Sequence, residues 1–225
     1  MRRAAGVLVL SGLLGVGSIA AQQSPGVHPV SGREYAQTMG VQGAGWLDRA
    51  ERELEEDPDY ALRVLRIPKG ATVADVGAGS GYMTVRLAKI VGPTGRVYAN
   101  DIQPGMLELL QKSAARARVT NVVPVLGAID DPKLPPDSLD LILMVDVYHE
   151  FSQPQKMLQR MREALKPAGR LVLLEYRGED PDIPILPSHK MTRAQAKLEV
   201  EHEGFKLATV NENLPRQHVF IFVKQ

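Results

Sequence analysis

Between Pro68 and Gln225 the chain alternates short, continuous apolar runs with stretches whose apolar residues recur every three to four positions. This alternation restricts the fold more than any other feature. "ATVADVG", "GRVYANDI", "NVVPVLG", "LDLILMVDV" and "GRLVLLEYR" read as strands. "YMTVRLAKIVG", "GMLELLQKSAARARV", "PQKMLQRMREALKP" and "TRAQAKLEVEHEG" read as helices, the last with Thr192 as its N-cap. Strands alternating with helices of this length build βαβ units around a parallel sheet. The strands are apolar throughout, as expected when helices cover both faces. The final pair, "FKLATVNEN" and "QHVFIFVKQ", is joined by a short turn near Pro215 and predicts an antiparallel edge. No internal repeat is visible. The expected class is α/β, doubly wound and mostly parallel.

In such a sheet, ligands lie beyond the carboxyl ends of the strands, where the strand order reverses. The first strand ends at Asp75-Val76, and Gly77-Ala78-Gly79-Ser80-Gly81 leads into the first helix. Glycine tolerates positive φ and lets a ligand approach where a Cβ would block it. The helix N-terminus adds free N–H groups and partial positive charge. The spacing is G-x-G-x-G, whereas a dinucleotide fingerprint reads G-x-G-x-x-G. A nicotinamide dehydrogenase is therefore disfavoured. Asp75 would repel a pyrophosphate but pairs with an ammonium group. Asp101, ending the second strand, is placed to accept hydrogen bonds from both hydroxyls of a ribose. A ribose and an α-amino group without phosphate describe S-adenosylmethionine.

Upstream of the sheet, "MRRAAGVLVLSGLLGVGSIAAQQ" has two arginines, an uncharged stretch and small residues at Ser18, Ala20 and Ala21. That is the layout of a cleaved secretory signal over residues 1–21. It predicts an exported chain, periplasmic or secreted, with no stable membrane insertion after cleavage. A cytoplasmic chain is the alternative if the segment is not used. Residues 22–44 read as a linker or arm, residues 45–70 as a helical cap, and 71–225 as the main domain. Within the cap, Trp46, Leu47, Ala50 and Leu54 recur at helical spacing before a break at Pro58. Trp46 either packs on the core or lids a ligand pocket. The chain has no cysteine, which removes disulfides, thiolate metal sites and a cysteine nucleophile. Net charge is +1 and no basic stripe stands out, so nothing points to nucleic acid.

"VADVGAGSGYMT", "YANDIQPGML", "PPDSLDLILMVDVYHEF" and "LKPAGRLVLLEY" resemble the successive motifs of class I S-adenosylmethionine-dependent methyltransferases, type 11-like. The resemblance covers Ala71 to Gln225. It implies a Rossmann-like, seven-stranded sheet whose last strand is antiparallel. It also implies S-adenosyl-L-methionine as cofactor, with Asp75, Gly77, Ala78, Gly79, Ser80 and Gly81 around its methionine part and Asp101 on its ribose. Ile102 and Met106 would flank the adenine, and Asp130 or Ile129 would read its amino edge. Asp146 would face the reaction centre. One departure is that "LGAID" puts Ala128 where many relatives carry an acid.

For the methyl acceptor, the catalytic candidates are His149, Asp146 and Tyr148, at the rim of the fourth strand. Histidine suits a base because it titrates near neutrality. Glu175, Tyr176 and Arg177 are placed to line the same cavity, while His189 and Lys190 belong to a turn that is either solvated or reaches an acidic substrate. No metal is expected: Asp146 and Glu175 match acids with which catechol-type O-methyltransferases of this fold bind magnesium, but the Asp-Asn pair those enzymes place after the fifth strand is absent, because this chain reads Glu175-Tyr176. Without a cysteine there is no cytosine C5 methylation, and Asp146-Val147-Tyr148 stands where amino-methylases of bases carry a Pro-Pro motif. The expected partner is a small-molecule acceptor, methylated on oxygen or nitrogen. The other reading is an exported, non-catalytic ligand-binding domain on the same fold. The oligomeric state is not legible.

Overall fold

A computed structural model of the chain describes residues 26–225. The candidate signal at 1–21 lies outside the described residues. Among them, no helix is long and apolar enough to cross a membrane.

Three short helices precede the sheet: α1 (Ala44–Leu47), α2 (Arg52–Glu56) and α3 (Pro58–Val64). There follow β1 (Thr72–Val76), α4 (Tyr82–Val91), β2 (Arg96–Asp101), α5 (Pro104–Ala117), β3 (Val122–Leu126) and β4 (Leu139–Val145). Then come α6 (Pro154–Ala164), β5 (Leu165–Arg177), β6 (Lys190–Met191), α7 (Arg193–His202), β7 (Phe205–Asn211) and β8 (Gln217–Lys224). The sheet order is β3-β2-β1-β4-β5-β8-β7, with β6 beside β5. β1 to β5 are parallel, while β8 runs antiparallel to β5 and to β7. The expected seven strands and antiparallel edge are present. The two-residue β6 is an eighth strand, too short to have a sequence period.

Successive residues of the central strands face opposite layers. Ala74, Val76, Ile142, Met144, Leu171 and Leu173 pack against α6 and α7. Val73, Leu141, Leu143, Val172 and Leu174 pack against α3 and α4. Both faces are dry, which is why these strands read as unbroken apolar runs. Thr192 caps α7 as expected, in a capping box with Gln195. The winding reverses between β1 and β4, so a crevice opens above their carboxyl ends.

The cap departs from its expected form. A single helix from Trp46 to Leu54 is interrupted at Asp48–Glu51, and Trp46 and Leu54 are exposed. Asp57 takes φ 44° and accepts a hydrogen bond from Tyr60 N, which starts α3. Residues 26–43 are more than a linker. Ala36 N and Arg33 Nη1 both donate to the His149 carbonyl at 3.0 Å. Arg33 is buried and bidentate on Glu199 of α7.

Candidate active site

The crevice is a cavity of about 1000 Å³, at the upper end of the range for small-ligand pockets. The glycine loop forms one wall. Gly77, Gly79 and Gly81 have φ of 73°, 52° and 89°, which side chains rarely adopt. A Cβ on Gly77 would overlap Val147, and one on Gly79 would lie 2.7 Å from Leu47 Cδ1. Gly77 and Gly79 line the cavity, so the cradle is open on the ligand side. Gly81 lets α4 approach Leu110 of α5. Ala78 is packed against Leu110 and Ala99, and Ser80 donates to Asp48 Oδ1 of the cap at 2.8 Å. Ala78, Ser80 and Gly81 shape the loop from behind and do not line the main cavity.

Asp75 also stands behind the loop, in a small separate recess with Arg52 and Ser80. Thr84 Oγ1 donates to it at 2.6 Å. Burial pushes its carboxyl up to about 6, against the Thr84 hydrogen bond and the Arg52 charge. A carboxyl with a raised folded pKa binds more protons folded than unfolded. Its full stabilisation is present below the unfolded pKa near 4 and is lost as pH rises towards 6. The Asp75→Asn protein should therefore lose that decline, a difference on the order of 3 kcal/mol at neutral pH. Denaturant midpoints measured from pH 4 to 7 test this, and an unchanged slope would count against it.

Asp101 borders the cavity at the end of β2. Its Oδ2 accepts from Gly79 N at 2.9 Å and its Oδ1 from Gln103 N at 2.9 Å. Each oxygen keeps a lone pair for a hydroxyl. Ile102, Met106 and Ile129 line the same end, Met106 buried and the other two exposed. Asp130 is not there: it points outward and pairs with Lys156 at 3.5 Å. Of the two candidates for the adenine edge, the fold brings Ile129 to the cavity.

At the other end, Asp146 follows β4 with φ 53°, a strained value for a side-chain-bearing residue. Its Oδ2 accepts from Gln217 Nε2 at 2.7 Å, while the buried Oδ1 has no partner among the described residues. Burial and the nearby Glu56 and Glu175 hold its carboxyl well above the usual range. His149 lines the cavity and is 1% exposed. Its Nδ1 meets Glu175 Oε2 at 2.5 Å, and Glu175 Oε1 accepts from Tyr148 N. Burial opposes charging of the imidazole, but Glu175 outweighs it and the His149 pKa is raised. Nε2 has no partner among the described residues.

Tyr148 is a correction. It is 0% exposed, does not line the cavity, and points into the core beside Phe151 with the Arg33 guanidinium 5.8 Å from its ring centre. The turn Tyr148–Glu150 sends adjacent side chains opposite ways, which alternation along a strand could not indicate. Lys190 and Arg177 are also turned away, onto the Asp180 carbonyl and the β7–β8 turn. His189 does reach the cavity, edge to face with His149 at 5.1 Å. Tyr176 lines it too and donates to Glu56 at 2.8 Å. Sequence reasoning missed Glu56 and Arg52, a buried pair at 2.6 Å on α2. Their acid-rich segment reads as a solvated helix face. Trp46 is 49% exposed at the cavity mouth, with the Arg49 guanidinium 3.8 Å from its ring centre. Trp46 is not packed into the core but lines the cavity from its mouth.

The glycine cradle, the acid ending β2 and their position at the switch point fit a nucleoside-bearing cofactor. The chain belongs to the methyltransferase domain family, which matches residues 67–217. Over 111 residues it is 34% identical to the ubiquinone/menaquinone biosynthesis C-methyltransferase of Psychromonas ingrahamii and 32% to that of Enterobacter sp.. These alignments cover 49% of this chain and 44% of each relative, so the match spans under half the length of these curated relatives. The fold superposes on a SAM-dependent methyltransferase from Aquifex aeolicus with a TM-score of 0.78 at 26% identity. That superposition covers 82% of this chain and 98% of the other. The class I methyltransferase family and its cofactor, S-adenosylmethionine, follow from these matches together with the site.

Proposed function

We propose that the protein transfers a methyl group from S-adenosylmethionine to a small, hydroxyl-bearing acceptor held between the Trp46 rim and the His149 wall. The observation that carries this is spatial. The Gly77–Gly79 cradle and Asp101 line the same cavity as His149, whose buried Nε2 has no partner among the described residues. The bound cofactor supplies an electrophilic methyl on a sulfonium. Asp101 holds the ribose, and the glycine backbone holds the methionine part. Asp146, held by Gln217 at the end of β4, would face that methyl. His149, oriented by Glu175, activates the acceptor's hydroxyl. The new bond would join methyl to acceptor, the methyl–sulfur pair would stay on sulfur, and the acceptor's proton would pass to His149. Loss of a ring hydroxyl's proton makes both the oxygen and the neighbouring ring carbon nucleophilic. The C-methyltransferase names of the relatives are compatible with such an acceptor. The lack of a basic stripe favours a small molecule over nucleic acid. The Met1–Ala21 pattern supports export.

Calorimetric titration with S-adenosylhomocysteine tests the cofactor half. Asp101→Ala removes two hydrogen bonds to a charged acceptor and should weaken binding by about 2–4 kcal/mol. Equal affinity of variant and wild type would overturn the ribose assignment.

A further inference from the structure

His149 and Glu150 sit on the turn Tyr148–Glu150, and His189 ends the turn Pro187–His189. One donor atom of each lies within 4.8 Å of the other two. Convergence alone does not make a site, but two independent observations concern His149. Its Nε2 is buried without a hydrogen-bond partner among the described residues. A buried nitrogen left bare costs roughly 1–3 kcal/mol unless something binds it. Its Nδ1 is held at 2.5 Å by Glu175, which Tyr148 N holds in turn. A carboxylate behind the imidazole is how proteins orient metal-binding histidines and strengthen them as ligands. All three residues, two imidazoles and one carboxylate, line the cavity.

We propose that His149 Nε2, His189 and Glu150 bind one divalent transition-metal ion of the zinc type, with a position left open for the acceptor. Imidazole ligands suit such ions, whereas magnesium and calcium prefer all-oxygen sets. Three protein ligands plus one open position is the arrangement of catalytic zinc. The site is distinct from the acid pair Asp146 and Glu175, because Glu175 is already engaged by His149 and by Tyr148 N. The use of the ion rests on the proposed methyl transfer. An acceptor hydroxyl at the open position has its pKa lowered by the ion and releases its proton to solvent, with no change of oxidation state. His149 then activates the acceptor as a ligand.

The test uses the full chain, stripped with a chelator and titrated with Co²⁺ by visible absorption and with Zn²⁺ by calorimetry, both without cofactor. One equivalent should bind, with the strong d–d bands of a site of low coordination number. His189→Ala removes a ligand from a half-buried turn while keeping the His149–Glu175 pair, and should weaken Co²⁺ binding by about a hundredfold or more. Glu150→Gln should weaken it at least tenfold. The proposal is overturned if neither ion binds the wild-type chain, or if both variants bind as wild type does. S-adenosylhomocysteine is titrated in parallel. Its binding without Co²⁺ binding removes the metal site alone, and the reverse removes the methyl-transfer reading alone.

Discussion

Replacing His149 with alanine should lower methyl-transfer turnover by about a hundredfold or more while S-adenosylhomocysteine binds as before. In the proposed reading His149 serves the acceptor, whereas the glycine cradle and Asp101, which line the same cavity, serve the cofactor. Its backbone carbonyl, which receives Ala36 N and Arg33, is kept in the variant. What changes inside the core is Glu175, which loses one of its two partners. A buried carboxylate oxygen left bare costs at least about 1–3 kcal/mol, so some loss of stability accompanies the loss of rate. Glu175→Gln separates the two effects. It keeps the bond from Tyr148 N but weakens the hold on His149 Nδ1. It should therefore slow turnover by less than His149→Ala does. Turnover within threefold of wild type in His149→Ala would reduce the histidine to a structural part.

The largest effect on stability is expected far from the chemistry. Glu199 on α7 is fully buried and receives Arg33 Nε and Nη2, both at 3.0 Å, together with Ser31 Oγ. Removing one partner of such a pair leaves the other charge buried and uncompensated, at a cost of about 3–5 kcal/mol. For a chain of this size, Glu199→Ala should lower the melting temperature by roughly 6–20 °C. Arg33→Ala combined with Glu199→Ala should recover part of that loss, because the second change removes the stranded charge. Additive losses in the double variant would contradict this account. The same pair matters to the site, since Arg33 also donates to the carbonyl of His149. The segment 26–43 thus ties α7 to the turn that carries the candidate acceptor-binding residue.

The parts legible in the sequence are those set by local pattern. Five apolar runs with intervening helical periods specify a parallel sheet covered on both faces, and the positive φ at Gly77, Gly79 and Gly81 is met cheaply by glycine alone, so the spacing of those residues marks the tight loop. Asp101 was legible because a strand end has a fixed relation to the switch point. Thr192 was legible because capping is a contact between residues three apart.

What local pattern does not carry is the direction of a side chain once the chain leaves a regular element. Tyr148 and His149 are neighbours, yet one is in the core and the other faces the cavity. Asp130 and Ile129 are neighbours, and only Ile129 reaches it. Glu56 and Arg52 look like surface charges because their burial depends on Tyr176, 120 residues away. The sequence by itself determined the sheet, the glycine loop and the place of Asp101 at its strand end, since each follows from spacing along the chain. Only the tertiary structure decided the acceptor end, because His149, Glu175 and His189 come from three separate segments and meet only when the strands are laid side by side.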